Sequence, residues 1–276
     1  MPLSFWSKRF PRLARRPRKL PAPHRPFRPC VESLEPRTAP AVLTVTSAAD
    51  THQAGLLTLR EAVAAANTDA AVGQSDTIIF DPALGGATIK LTAGPLEQSG
   101  VSSTATETID GGGWITVSCD DTSGVFTVDT GVTATLTGLT IADGNATNGS
   151  GGGIYNAGTL TVQGSTISGN FATDGGGIYN GGTLTLSAST LAGNSALYAG
   201  GIENYGTLTL SNSTLSGNAA ASFGGGLWSA AFAPVAVVLT DVTITANRAN
   251  TAGLAVKAAA SSSIPALTGG RCCTTR

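Results

Sequence analysis

The chain has 276 residues, of which 36 are glycine, 5% are aromatic and 12% are charged. Its length allows one extended domain with a leader, and a hydrophobic fraction of 41% with so few charges excludes an intrinsically disordered chain. The net charge of −1 hides an asymmetry. Residues 1–40 hold ten basic and two acidic residues, which gives a net charge of +8. The remainder holds six basic and fifteen acidic residues, which gives a net charge of −9. The acidic balance of the body argues against nucleic-acid binding by the folded part of the chain.

Residues 1–41 are predicted to be a disordered basic leader, because prolines recur throughout them. The segment lacks an apolar stretch of the length that an ordinary signal peptide needs. Arg15 and Arg16 are adjacent, as in a twin-arginine signal, but no apolar stretch follows them. Two interpretations stay open: a targeting or sorting segment, and a tail that binds nucleic acid or a membrane surface. No part of the chain is apolar for long enough to predict a transmembrane span.

Residues 58–67 are predicted to form a short amphipathic helix. Thr58 and Glu61 have the spacing of a capping box, in which each side chain bonds the backbone N–H of the other residue. Asn67 is expected to end the helix. Such a helix covers the open end of a stack of strands, so we interpret Arg60 and Glu61 as parts of a cap with an ion pair rather than as catalytic groups. The apolar face consists of Leu59, Ala62, Val63 and Ala66.

The segments up to residue 130 predict irregular first coils of a solenoid, with short β-branched runs at 77–81, 88–91, 108–110 and 114–117. Asp110 precedes three glycines, which indicate a turn rather than a phosphate-binding loop because no Lys-Ser or Lys-Thr follows. A two-carboxylate site in these coils stays an open alternative, although adjacent aspartates are more typical of a solvated turn. Its members would be Asp110, Asp120, Asp121 and Asp129.

Residues 151–222 contain three gapless units of 24 residues, which begin at Gly151, Gly175 and Ala199. Apolar residues alternate with threonine within each unit, as in Leu160-Thr-Val162, and this period of two predicts a strand with one buried face. Glycine and asparagine between such runs indicate turns. Each unit is therefore expected to hold about three short strands and three turns.

One unit alone has too little apolar surface to fold, so the units are expected to stack into a continuous core. The pattern continues upstream in a coil that ends at Asn145 and downstream in a coil that restarts at Gly225 and closes at Asn247. We expect roughly seven coils, which would form a rod on the order of 35 Å long.

Two sets of asparagines recur at the repeat spacing and predict hydrogen-bonded ladders. In a stack in register, equivalent positions lie about 4.8 Å apart, which is close enough for each side-chain amide to bond the next. We assign these rows a structural role. They consist of Asn156, Asn180 and Asn204 and of Asn170, Asn194 and Asn218.

The predicted fold is all-β: a right-handed single-stranded parallel β-helix over 42–250, a pectin-lyase-like solenoid with a short N-terminal capping helix. An irregular or disordered tail is expected over 251–276. The period of two and the glycine and threonine content exclude helical repeats, and a β-propeller blade needs about 40 residues. A leucine-rich repeat has a suitable length, but its LxxLxLxxN spacing is absent from the units.

Three motifs resemble bacterial families. Val31-Glu-Ser-Leu-Glu-Pro-Arg37 resembles the LEPR leader of large extracellular proteins from planctomycete-type bacteria. Leu57-Thr-Leu-Arg-Glu-Ala-Val63 resembles the CSLREAI motif, with Leu-Thr in place of Cys-Ser and Val in place of Ile. Ile167-Ser-Gly-Asn170, followed by Gly175-Gly-Gly-Ile178, resembles the repeat of polymorphic outer membrane proteins. The resemblance covers about residues 31–250, and it implies a right-handed β-helix with an extracellular, cell-surface or outer-membrane location.

No catalytic, cofactor-binding or metal-binding residue is predicted. The four cysteines have no metal-ligand spacing, and His52 lies outside the coils. Between residues 61 and 250 only Lys90 and Arg248 are basic, while the acids of the regular coils, Asp174 and Glu203, are not aligned as a pair. We therefore expect a non-enzymatic secreted or cell-surface protein with an adhesive, envelope or structural role. The alternative is a polysaccharide-binding module or a glycan lyase or hydrolase on the same scaffold.

One outward row of side chains is a candidate contact surface. Tyr155 and Tyr179 occupy the same repeat position, Glu203 takes it in the third unit, and Trp228 falls one position later in the fourth. Such a row either stacks on sugar rings or packs against the next turn, and packing is the preferred interpretation. The expected partners are surface glycans or other envelope proteins, with end-to-end self-association through a last coil that has no obvious cap.

Overall fold

The computed structural model describes residues 40–101, 104–230 and 236–250. These residues form a parallel β-solenoid of about six turns, and strands make up 51% of the structure. The predicted parallel β-helix with one helix near its N-terminus is thereby confirmed. Nearly all of the expected leader, and the whole of the expected tail over 251–276, lie outside the described residues.

The strands fall into an irregular N-terminal part, a regular part and a C-terminal part. The first part comprises β1 (Ala41–Val45), α1 (Leu59–Ala70), β2 (Asp76–Phe80), a 3-10 turn (Pro82–Leu84), β3 (Thr88–Lys90), β4 (Leu96–Gln98), β5 (Glu107–Ser118), β6 (Phe126–Val128), β7 (Thr133–Ala142) and β8 (Asn145–Ser150). The regular part comprises β9 (Ile154–Asn156), β10 (Thr159–Gln163), β11 (Thr166–Ser168), β12 (Phe171–Asp174), β13 (Ile178–Asn180), β14 (Thr183–Ser187), β15 (Thr190–Ala192), β16 (Ser195–Ala196), β17 (Ile202–Asn204), β18 (Thr207–Ser211), β19 (Thr214–Ser216) and β20 (Ala219–Ala220). The last part comprises β21 (Leu227–Ser229), β22 (Val237–Thr240), β23 (Thr243–Thr245) and β24 (Arg248–Ala249).

These strands pair into three parallel sheets. The largest has the order β22-β18-β14-β10-β7-β11-β15-β19-β23, and β5, β2, β1 and β3 extend it toward the N-terminus. The other two sheets have the orders β24-β20-β16-β12-β8 and β21-β17-β13-β9-β6-β4. Each regular coil therefore has four strands, one more than expected. The extra strand was missed because β12 and its equivalents are short and bury only one small residue each, such as Ala172.

The 24-residue spacing sets the register of the regular coils. Ile154, Ile178 and Ile202 pair in sequence, and the leucines of β10, β14 and β18 pair in the same way. All of these isoleucines and leucines are fully buried. Rows of identical apolar side chains therefore run along the solenoid and make one continuous core.

Both predicted asparagine ladders form. Asn156 donates through Nδ2 to Oδ1 of Asn180 at 2.7 Å, and Asn180 donates likewise to Asn204 at 2.6 Å. In the second ladder, Asn170 to Asn194 and Asn194 to Asn218 are joined by bonds of 2.9 Å. The amide groups also donate to backbone carbonyl oxygens of neighbouring coils. Each buried Nδ2 group therefore has an acceptor for both of its hydrogens.

The capping box at the start of α1 is present. The Thr58 hydroxyl accepts from the Glu61 backbone N–H, and the Glu61 carboxylate accepts from the Thr58 backbone N–H. Arg60 pairs with Asp50 rather than with Glu61, through Nε to Oδ1 at 2.7 Å, and Glu61 contacts His52. The predicted apolar face is buried as expected.

The expected end of α1 was wrong, since the helix continues to Ala70. The Asn67 side chain does not cap its own helix because it is fully used elsewhere. Its amide donates to the Glu97 carbonyl, and its carbonyl accepts from the backbone N–H groups of Ser99 and Gly100. Asn67 therefore fastens the helix to the segment that follows β4.

Two details of the flanking coils also differ from expectation. The expected seven coils become about six turns. Asn145 does not join the second ladder but pairs with Phe171. The preceding residue, Gly144, takes the place beside the ladder and donates its backbone N–H to Asn170.

Candidate functional site

The outward row predicted from the repeat is in direct register in the structure. Tyr155 pairs with Tyr179, Tyr179 with Glu203, and Glu203 with Trp228. The 24-residue spacing alone had placed Trp228 one position after the repeat position of Glu203. Phe223 is the additional residue of that coil, and it is accommodated before the next strand begins, so the register is restored at β21.

Aromatic rings nevertheless run without interruption along this row. Tyr155 and Tyr179 stack with ring centroids 5.3 Å apart and planes 1° apart. At the third coil, where the row holds Glu203, the ring comes from Tyr205, two residues further along the chain. Its centroid lies 5.6 Å from that of Tyr179 and 5.2 Å from that of Trp228. Tyr205 thus bridges the gap that the glutamate leaves.

Two more rings widen the row at its C-terminal end. Phe223 lies 5.8 Å from Tyr198 and 6.3 Å from Trp228, measured between ring centroids. Tyr198, Tyr205 and Phe223 are 37%, 43% and 48% exposed, so these rings are open to solvent. We call the set of six contiguous rings the aromatic face. Its members are Tyr155, Tyr179, Tyr198, Tyr205, Phe223 and Trp228.

Only half of this face could be found from the repeat. Tyr198, Tyr205 and Phe223 do not occupy the Tyr155 position, so the periodicity gave no reason to group them. A compositional signal was available, however. All four tyrosines of the chain lie within residues 155–205, and all four belong to the aromatic face.

Glu203 is buried beneath this face. It is 3% exposed, and its Oε1 accepts a hydrogen bond from the Tyr205 hydroxyl at 3.2 Å. Within the part of the chain that the structure describes, its Oε2 has no hydrogen-bond partner. Burial, and next the nearby Asp174, raise the pKa of Glu203 to about 7, against the lowering effect of the Tyr205 hydroxyl and the Gly175 backbone N–H. The carboxyl is therefore held near the point of ionisation at neutral pH.

The electrostatic surroundings of the aromatic face are acidic. Burial and the neighbouring Glu203 raise the pKa of the Tyr205 phenol to about 12. The pKa of the Tyr179 phenol is also raised, by burial first and then by Tyr155, Glu203 and Asp174. Each charged side chain that shifts these pKa values is a carboxylate, so the face carries a negative potential.

A groove of about 280 Å³ lies where α1 meets the segment before β4. Its polar lining residues include Arg60 and Asn67. Both side chains are occupied by the fold. Arg60 donates to Asp50 and to the carbonyl oxygens of Gly94 and Pro95, and Asn67 is bonded as described above. The polar groups of this groove thus serve to attach the helix.

A pair of buried carboxyl groups lies in the first coils. Asp76 and Glu107 are register partners on β2 and β5, and each is 2% exposed. Burial, followed by the charge of Asp76, raises the pKa of Glu107 to about 7. The pKa of Asp76 is likewise raised by burial, while the Ala41 backbone N–H donates to its Oδ1 at 3.0 Å. Because both carboxyl groups are enclosed, they affect how the free energy of unfolding depends on pH and do not form a surface site.

The structure does not bring the four aspartates of the irregular coils together as a carboxylate pair. Asp110 lies within β5 at an irregularity of the pairing, where its Oδ1 accepts from the Gly112 backbone N–H. Asp120 and Asp121 form the expected exposed turn, both with positive φ, and Asp129 follows β6 in another sheet. Among residues 40–101, 104–230 and 236–250, no three His, Cys, Asp or Glu side chains are grouped to hold a metal ion. Over the same ranges no helix has the length and apolar character needed to cross a membrane.

Comparisons with protein-family models, with curated proteins and with solved structures returned no match for this chain. The likeness to CSLREAI-motif proteins and to polymorphic outer membrane protein repeats therefore stays a prediction from the motifs.

Proposed function

We propose that this chain is a non-enzymatic secreted or cell-surface β-solenoid that adheres to glycans through the aromatic face. The single observation that carries the proposal is the continuity of the six rings, three of which are substantially exposed. Contiguous exposed apolar patches mark interaction sites on soluble proteins. Tyrosine and tryptophan suit such a role because each combines a flat apolar ring with a polar tip, as the C–H faces and hydroxyl groups of a sugar require.

The solenoid supports this role by fixing the rings before a ligand arrives. Tyr155, Tyr179 and Trp228 project from hydrogen-bonded parallel strands, and Tyr205 is held by its bond to Glu203. Rings that are already ordered lose little conformational entropy on binding. The row also follows the solenoid axis, so it offers several consecutive contacts to an elongated chain such as a polysaccharide.

A glycan hydrolase or lyase is the second candidate function, and one observation favours it. Glu203 has a pKa of about 7 and lies close enough to Asp174 for their charges to interact, which is the kind of unequal carboxyl pair that glycosidases use. We favour binding because the buried Glu203 already accepts a hydrogen bond from Tyr205. Other acids are also engaged in the fold: Asp50 accepts from Arg60 and the Thr92 backbone, and Glu61 belongs to the capping box.

The binding proposal is tested with the full chain by affinity electrophoresis through gels that contain single polysaccharides of differing charge. We expect retardation in at least one gel and about a tenfold loss of affinity, which corresponds to 1.4 kcal/mol, in the double variant Tyr205→Ala/Phe223→Ala. The matched control is Phe171→Ala. This ring is 38% exposed but lies outside the aromatic face, and its loss should leave the retardation unchanged. Equal retardation of the wild type and the double variant would refute the proposal.

The enzymatic alternative is tested on the same polysaccharides by two assays, the release of reducing ends and the absorbance of unsaturated lyase products. Turnover that disappears in Glu203→Gln would establish the alternative and overturn the non-enzymatic proposal. We expect neither product to form, even where the gels show binding.

The proposed location is extracellular, at the cell surface or in the outer membrane, and it rests on the resemblance of the leader and the repeats. Fractionation of cells that express the full chain with a C-terminal tag provides the test, and recovery of the tagged protein in the cytosol alone would contradict it. Other envelope proteins are included among the proposed partners.

End-to-end self-association is also proposed. Within the described residues, β21, β22, β23 and β24 are the last strands of their sheets toward the C-terminus and pair on one side, which leaves backbone groups for a second copy. Sedimentation velocity of the full chain over a hundredfold concentration range is expected to show growth beyond the monomer, and a constant monomer would contradict this proposal.

A further inference from the structure

The centre of the aromatic face contains a buried carboxyl group. Glu203 lies in the outward row between Tyr179 and Trp228, and its Oε1 is bonded to the Tyr205 hydroxyl. Its Oε2 is buried and has no hydrogen-bond partner among the described residues. Charges that are buried are screened less by water and salt than exposed ones, so the Glu203 carboxylate can attract a cation at the face without a direct hydrogen bond.

The surroundings of this carboxyl group select the charge of the ligand. The rings of Tyr179, Tyr205 and Trp228 are joined side by side around the Glu203 position, and aromatic rings present a negative π face to a cation. Asp174 adds a second carboxylate whose charge acts on Glu203. Rings together with carboxylates are the environment in which proteins bind organic ammonium groups, and a polyanionic glycan would be repelled.

We propose that the aromatic face is selective for glycans that carry free amino groups, with a protonated hexosamine amine lying against the rings of Tyr205 and Trp228 and attracted by the buried carboxylate of Glu203. This inference rests on the proposed function and specifies the class of glycan.

The pH dependence of binding follows from the groups that face Glu203, which are Asp174, Tyr179 and Tyr205. The phenol of Tyr205, with a pKa of about 12, stays neutral throughout the accessible range. Below about pH 7 Glu203 takes up a proton and loses its attraction for the ammonium group, and at high pH the ligand amine loses its charge. Affinity is therefore expected to pass through a maximum, with the acid limb set by Glu203.

The test compares β-1,4-linked tetramers of glucosamine, N-acetylglucosamine and glucose by isothermal titration calorimetry with the full chain at pH 7. We expect the glucosamine tetramer to bind at least tenfold more tightly than the other two. The variant Glu203→Gln should reduce this preference to less than threefold and abolish the acid limb of the pH profile.

A control variant separates this role from a general loss of charge. Glu97→Gln removes an equal charge from an exposed site and should keep the full preference for the glucosamine tetramer. If Glu203→Gln fails to fold, Asp174→Asn provides the second variant, with a smaller expected loss of preference.

The outcomes distinguish this inference from the proposal on which it rests. Equal affinity for the three tetramers, lost in Tyr205→Ala/Phe223→Ala, would overturn the preference for amino groups and keep glycan binding. Preference for the glucosamine tetramer that survives Glu203→Gln unchanged would also overturn the assignment to this carboxyl. Absence of binding to any of the tetramers, and to all polysaccharides in the gel assay, would overturn both.

Discussion

Asn156 and Asn180 are joined by a side-chain hydrogen bond of 2.7 Å although both residues are completely buried. The bond is one step of a ladder, and the same amide of Asn156 also donates to the Thr183 carbonyl at 3.1 Å. Each asparagine therefore links its own coil to the next through both its side chain and the neighbouring backbone. The ladder provides polar continuity along a core that is otherwise apolar.

Asn180→Ala is predicted to be the most disruptive single change in this ladder. It leaves the Asn156 Nδ2 and the Asn204 Oδ1 without their side-chain partners in a dry interior, which costs on the order of 3 kcal/mol of unfolding free energy. Urea unfolding followed by circular dichroism measures the loss. The control is Asn145→Ala, outside both ladders, which should cost less than about 1 kcal/mol; equal losses in the two variants would show that the ladder contributes nothing specific.

The rows of the core could be predicted from the sequence because each row repeats one residue type at one spacing. Ile154, Ile178 and Ile202 determine their own register once parallel stacking is assumed, and the asparagine ladders follow from the same step. The N-cap of α1 could also be predicted from the sequence, since Thr58 and Glu61 contact each other within a single turn. These features depend on local sequence or on strict repetition, which a sequence displays directly.

The features that sequence analysis missed depend on contacts between non-equivalent positions. Tyr205 contributes its ring at the coil where Glu203 stands in the outward row. Trp228 lies in register with that row because the extra residue Phe223 is accommodated before β21 begins. Asn67 does not end its helix because its amide finds partners around β4. In each case a tertiary contact decides the outcome, and no periodicity reports it.

Gly176→Ala is predicted to be strongly destabilising for a steric reason. A Cβ at this position would lie 2.2 Å from the Ser195 carbonyl oxygen and 2.7 Å from that of Gly200, so the backbone of adjacent coils would have to separate. The expected cost is about 3 kcal/mol of unfolding free energy, measured by urea unfolding. Gly181→Ala is the matched control, because a Cβ there meets nothing closer than 3.6 Å; a loss as large in this control would refute the steric explanation.

Glu107→Gln is predicted to change how stability depends on pH. A carboxyl whose pKa is raised from 4.5 to about 7 on folding binds its proton more tightly in the folded state. Its contribution to stability is therefore complete below pH 4.5 and is lost as the pH rises through about 7, by roughly 3 kcal/mol. The variant, which cannot ionise, should lose less stability than the wild type between pH 5 and pH 8.

Thermal unfolding at half-unit pH intervals measures this difference between Glu107→Gln and the wild type. Part of the slope should remain in the variant, because the pKa of Glu203 and that of Asp76 are also raised by burial. Glu97→Gln, at an exposed position, serves as the control and should reproduce the wild-type slope. A variant slope identical to that of the wild type would show that Glu107 does not carry its proton into the neutral range.

Tyr205→Phe is predicted to shift the ionisation of Glu203 upward. The Tyr205 hydroxyl donates to Glu203 Oε1, and this bond favours the charged form of the carboxyl, so its removal raises a pKa that already lies at about 7. Titration of carboxyl-labelled glutamate by nuclear magnetic resonance measures the shift, with Glu203→Gln to assign the signal. The reciprocal change is expected in Glu203→Gln, where the Tyr205 phenol loses a charged acceptor and its pKa falls from about 12. An unchanged Glu203 titration in Tyr205→Phe would mean that the ring alone, and not its hydroxyl, links the aromatic face to the buried carboxyl.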